Sequence, residues 1–429
     1  MLTAGCLLTA LTGTVTATPA IAAPECGGEH FVASWAASPT DALTPLDASG
    51  GVIPLAVRDQ TFRMIITPHF GGDRLRVRLS NRFGSAPITF DRSTVAAQVH
   101  GAQVGATTPL RFGGRESVTV APGADILSDP IAHRAKAFRP LAISVFVPGN
   151  AGPPTKHWNA NATSYYSPPG TGDLTRRRAA TGYTASTKSW FYVDALDVSA
   201  PHTARTVVAF GDSITDGFVG TTGLSVPADT AVADRNVRYP DFLQHRLDQA
   251  HLPISVVNAG IGSNRLLTSG EPLLLGPRGL SRFRRDALQQ SGVAGVLLLE
   301  GINDLGFPPG ATAEQMIAGF RQAIAEAHRA GVAIWLGTIV PASDALVDGT
   351  VIAPSSERYR QQINAWIRTQ KLADGFVDFD VALRDPRNPT VMAHEYSSPD
   401  RLHPSPDGYR AMARAVDLAM LSTARSPRC

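Results

Sequence analysis

The stretch 206–215 reads TVVAFGDSIT and joins a run of apolar and β-branched residues to an abrupt polar end. The run predicts a buried strand, and Gly211-Asp212-Ser213 would bring a hydroxyl to the carboxyl end of that strand. In open α/β sheets, ligands bind at this edge. Gly-Asp-Ser is also common turn chemistry, so the stretch indicates a site only together with other polar residues at comparable positions.

From about residue 204 onward, apolar strand patterns alternate with helix patterns. The clearest helix runs from Thr312 to Ala330, where Thr312 and Gln315 can form a capping box and Gly331 can end the helix. Continuous apolar strands between helices predict a parallel sheet covered on both faces, which is a three-layer α/β fold. The other predicted helices are 239–250, 356–368 and 406–421, and the other predicted strands are 254–257, 296–299, 332–336 and 376–379.

The preceding part of the chain, from Phe31 to about Val198, has short alternating runs separated by turn residues. In the run Leu75–Leu79, apolar residues alternate with arginines, so one face of the strand should be buried and the other wet. Many short strands at this spacing predict an all-β sandwich or jelly roll. We therefore expect a β-domain over residues 24–200 and an α/β domain over residues 204–425.

The first 23 residues carry no charge and end in the small-residue run Ala20-Ile21-Ala22-Ala23. This pattern predicts a secretory signal peptide over residues 1–23, although the usual basic start is missing. No later stretch has the roughly 18 consecutive apolar residues of a membrane-spanning helix. The sequence therefore predicts a secreted, extracellular protein without a transmembrane segment.

The cysteines fit the same compartment. Cleavage after residue 23 would remove Cys6 and leave Cys26 and Cys429 at opposite ends of the chain. In an oxidising environment these two residues could form a disulfide that ties the termini together, and two free thiols are the alternative. Two distant cysteines without histidines at a suitable spacing do not make a zinc site, so no metal is expected.

Composition places the chain among globular proteins. Its 429 residues are 43% apolar and 17% charged, which is enough for two domains. The net charge is only +3, and no cluster of Lys and Arg with interleaved aromatic residues occurs. We therefore expect no nucleic-acid partner.

Polar residues recur where later strands end and before the last helix. Asn258 and Asn303 each follow a predicted strand, and Asp400 and His403 precede the final helix. A serine, donors for an oxyanion and an Asp–His pair are the groups that acyl transfer needs. Together with Ser213, these residues predict a site for acyl transfer.

As a set, these blocks resemble the SGNH, or GDSL, hydrolase family over about residues 204–424. The phrases Leu299-Glu300-Gly301-Ile302-Asn303-Asp304 and Asp400-Arg401-Leu402-His403-Pro404, with the β-rich front half, are similar to a secreted bacterial branch of that family. The resemblance implies a flavodoxin-like parallel sheet. The G-x-S-x-G elbow of α/β-hydrolases does not occur in the sequence.

The resemblance also implies roles for Ser213, Asp400 and His403 as catalytic residues. A serine hydroxyl is a poor nucleophile near neutral pH, so Ser213 needs His403 to take its proton and return it to the leaving alcohol. Asp400 can hold the other ring nitrogen and stabilise the imidazolium. Taken singly, Asp400 could be a turn residue and His403 a surface histidine, but the complete set favours the catalytic interpretation.

By the same resemblance, three donors stabilise the oxyanion of the tetrahedral intermediate. They are the backbone N–H of Ser213, a backbone N–H after the second strand, and the side-chain amide of Asn303. Five residues after Asn258 the family usually has glycine, whereas this chain has Ser263, with Gly262 just before it. Ser263 is the predicted donor and Gly262 its substitute, because either residue supplies a backbone N–H.

The sequence thus predicts a secreted serine ester hydrolase of the esterase or lipase class, which forms an acyl-enzyme on Ser213 and needs no metal or cofactor. Esters of small molecules, lipids and acylated glycans all fit. An acyltransferase would use the same site. A protein that binds glycan or cell wall and carries an inert hydrolase domain is the alternative from another class.

Two acidic pairs and one leucine run admit other functions. Glu300 and Asp304 could form a glycosidase carboxylate pair, although the resemblance favours a supporting role beside the site. Asp378 and Asp380 are expected to be structural. The run 273–275 could line an acyl pocket or belong to the core.

Overall fold

The computed structural model describes residues 29–221, 228–269, 276–307, 310–347, 350–351 and 356–424. Three sequence predictions fall outside these residues and stay predictions. They are the signal peptide 1–23, the partners of the expected disulfide, Cys26 and Cys429, and the leucine run 273–275.

The strands between residues 31 and 199 are antiparallel, and we call this part of the chain the β-region. One sheet has the order β1-β16-β3-β10 with β9 beside β3, and a second has the order β14-β13-β2-β11-β5-β6 with β7 beside β5. The smaller pairs are β4–β8 and β12–β15. The strands are β1 (Phe31–Ala36), β2 (Val57–Ile66), β3 (Gly72–Ser80), β4 (Ile88–Phe90), β5 (Arg92–His100), β6 (Gln103–Val104), β7 (Thr108–Pro109), β8 (Val118–Val120), β9 (Asp125–Leu127), β10 (Ile131–Ala135), β11 (Leu141–Ala151), β12 (Lys156–His157), β13 (Ser164–Tyr166), β14 (Ala185–Thr187), β15 (Trp190–Phe191) and β16 (Val193–Ser199).

The two larger sheets of the β-region share one hydrophobic core. Leu75, Val77 and Leu79 of β3 face into it, and so do Phe62 and Met64 of β2. The arginines between the β3 residues lie on the wetter face, as the alternating sequence predicts. The all-β character of this region agrees with the sequence prediction, while the boundaries 24–200 and the choice between sandwich and jelly roll stay predictions.

The chain from residue 205 onward, which we call the α/β-region, is built on a five-stranded parallel sheet. Its strand order is β18-β17-β19-β20-β23, which is the flavodoxin-like order. A short antiparallel pair, β21–β22, lies outside this sheet. The strands are β17 (Arg205–Gly211), β18 (Ile254–Gly260), β19 (Val293–Leu299), β20 (Ala333–Gly337), β21 (Leu346–Val347), β22 (Thr350–Val351) and β23 (Gly375–Val377).

Helices pack on this sheet because its strands are apolar on both faces. Val207, Val208 and Phe210 of β17 are all fully buried. The helices are α1 (Ser213–Asp216), α2 (Tyr239–Gln249), α3 (Gly279–Phe283), α4 (Ile302–Gly306), α5 (Ala313–Arg329), α6 (Ser356–Thr369), α7 (Phe379–Leu383), α8 (Pro406–Ala415) and α9 (Leu418–Ser422), with 3-10 turns at Thr230–Val232 and His394–Tyr396 and a π-turn at Arg284–Leu288.

One predicted helix and one predicted strand differ in their bounds from the sequence prediction. The predicted helix 406–421 is two helices, because Val416 has extended backbone angles and Asp417 caps α9. The predicted strand 376–379 ends at Val377, because the Asp378 side chain accepts a hydrogen bond from Val381 and starts α7. Local side-chain capping thus overrides the apolar pattern at both places.

The β-region and the α/β-region pack directly against each other. Ala33 and Ala36 of β1 belong to the core of the parallel sheet. The Ser255 hydroxyl of β18 donates to the Ala33 carbonyl at 2.7 Å, and the Ala33 N–H donates to the Ser291 carbonyl at 2.9 Å. The interface is therefore hydrogen-bonded as well as apolar.

The N-terminus of α5 yields a stability prediction. Thr312 and Gln315 form the expected capping box, with hydrogen bonds of 3.3 and 2.9 Å. Thr312→Ala should lower the free energy of unfolding by about 1 kcal/mol, because the Gln315 N–H loses its side-chain acceptor. Urea denaturation measures this change. Thr312→Ser keeps the hydroxyl and should lie close to the parent; equal losses in both variants would contradict the capping role.

Candidate active site

Ser213 is the first residue of α1, and only Asp212 separates it from strand β17. The corner between them is tight: a side chain at Gly211 would clash with the Leu299 carbonyl oxygen and with Thr215. Asp212 caps the helix, because its carboxylate accepts the Ile214 N–H at 2.9 Å. These contacts hold Ser213 at the carboxyl edge of the sheet, where the sequence placed it.

Ser213, His403 and Asp400 form one hydrogen-bonded series. The His403 Nε2 lies 2.8 Å from the Ser213 Oγ, and the His403 Nδ1 lies 2.6 Å from the Asp400 Oδ2. The other carboxylate oxygen of Asp400 accepts from the N–H groups of Leu402 and His403 and from the Ser398 hydroxyl. All three residues of the series are buried. The structure thus brings together three residues that the sequence proposed as a set.

The environment of Asp400 favours its charged form. Burial alone would raise the pKa of Asp400, but the neighbouring His403 and the N–H donors outweigh burial and hold that pKa at about 2. An ionised Asp400 accepts the Nδ1 proton of His403, so the Nε2 of a neutral imidazole faces the Ser213 hydroxyl as a proton acceptor.

Ser263 has a backbone φ of 58°, in the left-handed region that glycine adopts most easily. Ser263, where the sequence resemblance implied a glycine, thus has a glycine-like backbone conformation. Gly262 beside it is buried, and a Cβ added there would lie 3.2 Å from the ring of Trp158. Trp158 of the β-region therefore packs directly against this loop.

Asn303 lies in the first turn of α4, and its side-chain N–H donates to the Asn264 carbonyl at 2.9 Å. This hydrogen bond joins the loop after β19 to the loop that carries Ser263. Asn303 makes no hydrogen bond to Ser213 itself. Its amide keeps a second N–H for a further acceptor.

Arg282 of α3 is a buried residue that the sequence analysis did not single out. Its guanidinium donates to the carbonyls of Gly211 and Ala259 at 2.8 and 2.7 Å and to the Asn264 Oδ1 at 2.9 Å. It therefore connects the ends of β17 and β18 with the loop after β18. The sequence gives no signal for this role, because an arginine beside Phe283 and polar residues in a helix is an ordinary pattern.

The acidic residues near the site have structural partners. The Glu300 Oε1 lies 3.3 Å from Arg282, and the carboxylate of Asp304 accepts the N–H groups of Leu266 and Leu267 at 2.8 and 3.0 Å. Burial raises the pKa of Glu300 and of Asp304. These contacts agree with a supporting role rather than a glycosidase pair.

Asp378 and Asp380 also have structural partners. Both carboxylates bind Arg368, and Asp380 additionally binds Arg360 at 2.7 Å. This agrees with the structural interpretation of the pair.

No helix in the described ranges is long and apolar enough to cross a membrane.

Residues 209–411 match the GDSL-like Lipase/Acylhydrolase family. The match covers slightly less than half of the chain and includes Ser213, Asn303, Asp400 and His403, so a domain of this family lies in that part. No curated protein matches the chain. The family match supports an ester hydrolase.

Solved structures similar to the chain cover about half of it. A GDSL-like lipase from Bacteroides thetaiotaomicron is 20% identical with a TM-score of 0.37, covering 51% of this chain and 88% of that one. A carbohydrate acetylesterase from Sinorhizobium meliloti is 13% identical with a TM-score of 0.40, covering 49% and 95%. The aryl esterase of M. smegmatis is 15% identical with a TM-score of 0.40, covering 49% and 96%.

The low pKa of Asp400 predicts an acid-sensitive contribution to stability. Because the folded pKa of about 2 lies below the ordinary 3.8, the contribution is complete above about pH 4 and is lost as the pH falls toward 2. The parent should lose about 2 kcal/mol more unfolding free energy over that interval than Asp400→Asn does. Urea denaturation at a series of pH values measures the difference.

The exposed Asp407 of α8 provides the control for this measurement. Asp407→Asn should follow the pH dependence of the parent. Parallel curves for the parent and Asp400→Asn would contradict the proposed charge of Asp400.

Proposed function

We propose that the protein is a secreted serine ester hydrolase, which cleaves carboxylic esters through an acyl-enzyme on Ser213. The observation that carries this proposal is the buried series from Asp400 through His403 to Ser213, with distances of 2.6 and 2.8 Å. These are hydrogen-bond distances suited to proton transfer from a nucleophile to its base. Secretion is supported by the uncharged segment 1–23.

In this mechanism, the Ser213 Oγ attacks the ester carbonyl carbon while its proton moves to the Nε2 of His403. The tetrahedral intermediate collapses with cleavage of the bond to the alkoxy oxygen, and His403 returns the proton to the leaving alcohol. Water then attacks the acyl group on Ser213, with His403 again taking the proton. Collapse releases the carboxylic acid and restores the Ser213 hydroxyl.

The oxyanion of each tetrahedral intermediate needs preorganised donors. We assign the backbone N–H groups of Ser213 and Ser263 and the second side-chain N–H of Asn303, with Gly262 as the alternative to Ser263. The support is positional: α1 and the loops after β18 and β19 begin at one edge of the sheet, and Asn303 is hydrogen-bonded to the Ser263 loop. A donor that is already oriented stabilises developing charge without reorganising.

The substrate is proposed as a class: a carboxylic ester of a small molecule, a lipid or an acylated glycan. A hydrolysis panel of esters with graded acyl lengths and of acetylated glycans would distinguish these. An acyltransferase would use the same residues, and no observation favours it. The complete hydrogen-bonded series argues against an inert domain in a glycan-binding protein.

Ser213→Ala tests the nucleophile. It should fold normally and lose ester hydrolysis by several orders of magnitude, because the serine and its base act as a unit. A fluorophosphonate should label the parent once, at Ser213, and should not label the variant; kinetics with a short-chain chromogenic ester and mass spectrometry of the labelled peptide give the two readouts. Retained activity, or labelling at another serine, would disprove the assignment.

Asn303→Ala tests the oxyanion donor. It should lower kcat by about 10²-fold or more, because it removes a hydrogen bond made mainly in the transition state. The pH at which kcat/KM rises should stay nearly unchanged, because no proton carrier is lost, whereas Asp400→Ala should alter the pH profile. Asn364→Ala removes another buried amide, which hydrogen-bonds to the backbone of Ile339 and not to a predicted oxyanion donor, and should leave kcat near the parent value. Equal kcat losses in the two asparagine variants would reject the donor role.

A further inference from the structure

Side chains of the β-region hydrogen-bond to the C-terminal end of α1, the helix that begins with Ser213. Residues 156–161 read KHWNAN, and alternate members of this segment contact α1 and its C-cap. The His157 Nε2 lies 3.0 Å from the Asp216 Oδ1, and the Asn159 side-chain N–H donates to the Asp216 Oδ2 at 3.3 Å. The Asn161 side chain donates to the Gly217 carbonyl at 2.7 Å. Three side chains of one segment therefore hold the last turn of this helix.

The hydrogen-bond partners of His157 require a doubly protonated ring. Its Nδ1 lies 2.7 Å from the Ser38 carbonyl, and its Nε2 faces the Asn159 carbonyl as well as Asp216. All of these partners accept, so both ring nitrogens must donate. Burial opposes this charge and nearby Arg238 also opposes it, but Asp216 and the hydrogen bonds outweigh both and raise the pKa of His157.

The short α1 transmits the position of Asp216 to Ser213. The helix has four residues, and Ser213 and Asp216 are its two ends. The N–H groups of Gly217 and Phe218 both donate to the Ser213 carbonyl at 2.9 Å. A side chain at Gly260 of β18 would clash with the backbone of Asp216, so α1 is seated directly on the sheet. The backbone position of Asp216 is therefore tied to that of Ser213.

We propose that His157 is a positioning residue for the ester hydrolysis proposed above. Through its ion pair with Asp216, His157 holds α1 so that the Ser213 hydroxyl stays at hydrogen-bond distance from His403. This inference rests on the proposed function and gives the β-region a direct part in it: the nucleophile is oriented by a side chain from outside the family-matched residues 209–411.

A second histidine provides a matched control. His69 is also buried in the β-region, with its Nε2 2.9 Å from the Asp241 Oδ1 and its Nδ1 2.6 Å from the Val256 carbonyl. It joins the same two regions by the same type of contact. Asp241 lies in α2, however, and its other carboxylate oxygen accepts the Arg238 N–H at 2.8 Å rather than a group of α1.

The experiment compares His157→Gln with His69→Gln in the full-length protein. Both should lower Tm by similar amounts, because each removes one buried histidine–carboxylate pair. His157→Gln should lower kcat at least about tenfold with KM within about twofold, because small displacements of a nucleophile have large effects on rate. It should slow fluorophosphonate labelling of Ser213 by a similar factor, and His69→Gln should leave kcat within about twofold of the parent.

A rescue variant separates positioning from general damage. His157→Gln combined with Asp216→Asn replaces the unpaired carboxylate by an amide that can hydrogen-bond to Gln, and should recover kcat to within about threefold of the parent. If His157→Gln does not fold, Asn159→Ala takes its place. That variant removes one donor to Asp216 and should lower kcat by about threefold without a matching loss in KM.

The proposal is overturned if His157→Gln keeps the parent kcat, or loses no more than His69→Gln does. An unchanged kcat in Asn159→Ala overturns it where His157→Gln is not recoverable. Failure of the proposed function looks different: the parent itself would hydrolyse no ester, and the fluorophosphonate would not label Ser213.

Discussion

A single buried guanidinium holds together the loops of the candidate site. Arg282 is fully buried, and a charge in that position is tolerated only with oriented acceptors around it. The carbonyls of Gly211 and Ala259, the side chain of Asn264 and the carboxylate of Glu300 supply them. Two of these groups belong to strands β17 and β18, and the other two lie in the segments that follow β18 and β19, so a common donor joins the ends of three adjacent strands.

The flavodoxin-like strand order makes this arrangement useful. Strand β17 lies between β18 and β19, so the loop with Ser213 is flanked by the loops with Ser263 and Asn303. The Asp400–His403 loop approaches from the far end of the chain. The β-region closes the remaining side, where Trp158 stacks on Phe218, whose ring centroid lies 4.8 Å from that of His403. Both regions of the chain therefore contribute to one site.

The same residue type behaves differently at neighbouring positions of this site. Asp400 has a histidine and two N–H donors beside it, and its pKa is held at about 2. Asp212, next to Ser213, has one N–H donor, and burial among other carboxylates raises its pKa to about 7. His403 beside Asp400, together with the oriented N–H donors, outweighs burial there, whereas burial prevails at Asp212. Negative charge is thereby concentrated at Asp400, where His403 can use it.

Local chemistry was readable from the sequence. The apolar strands, the capping box of Thr312 and Gln315, and the Asp400–His403 pair depend on neighbouring residues, and the structure has each of them. The contacts between residues far apart in the sequence were decided by tertiary packing. Ser213 and His403 lie 190 positions apart, and their hydrogen bond exists only because the sheet and the last loop meet. The contacts of Arg282 and the pairing of His157 with Asp216 leave no local pattern, because burial and partner geometry arise only when distant segments pack together.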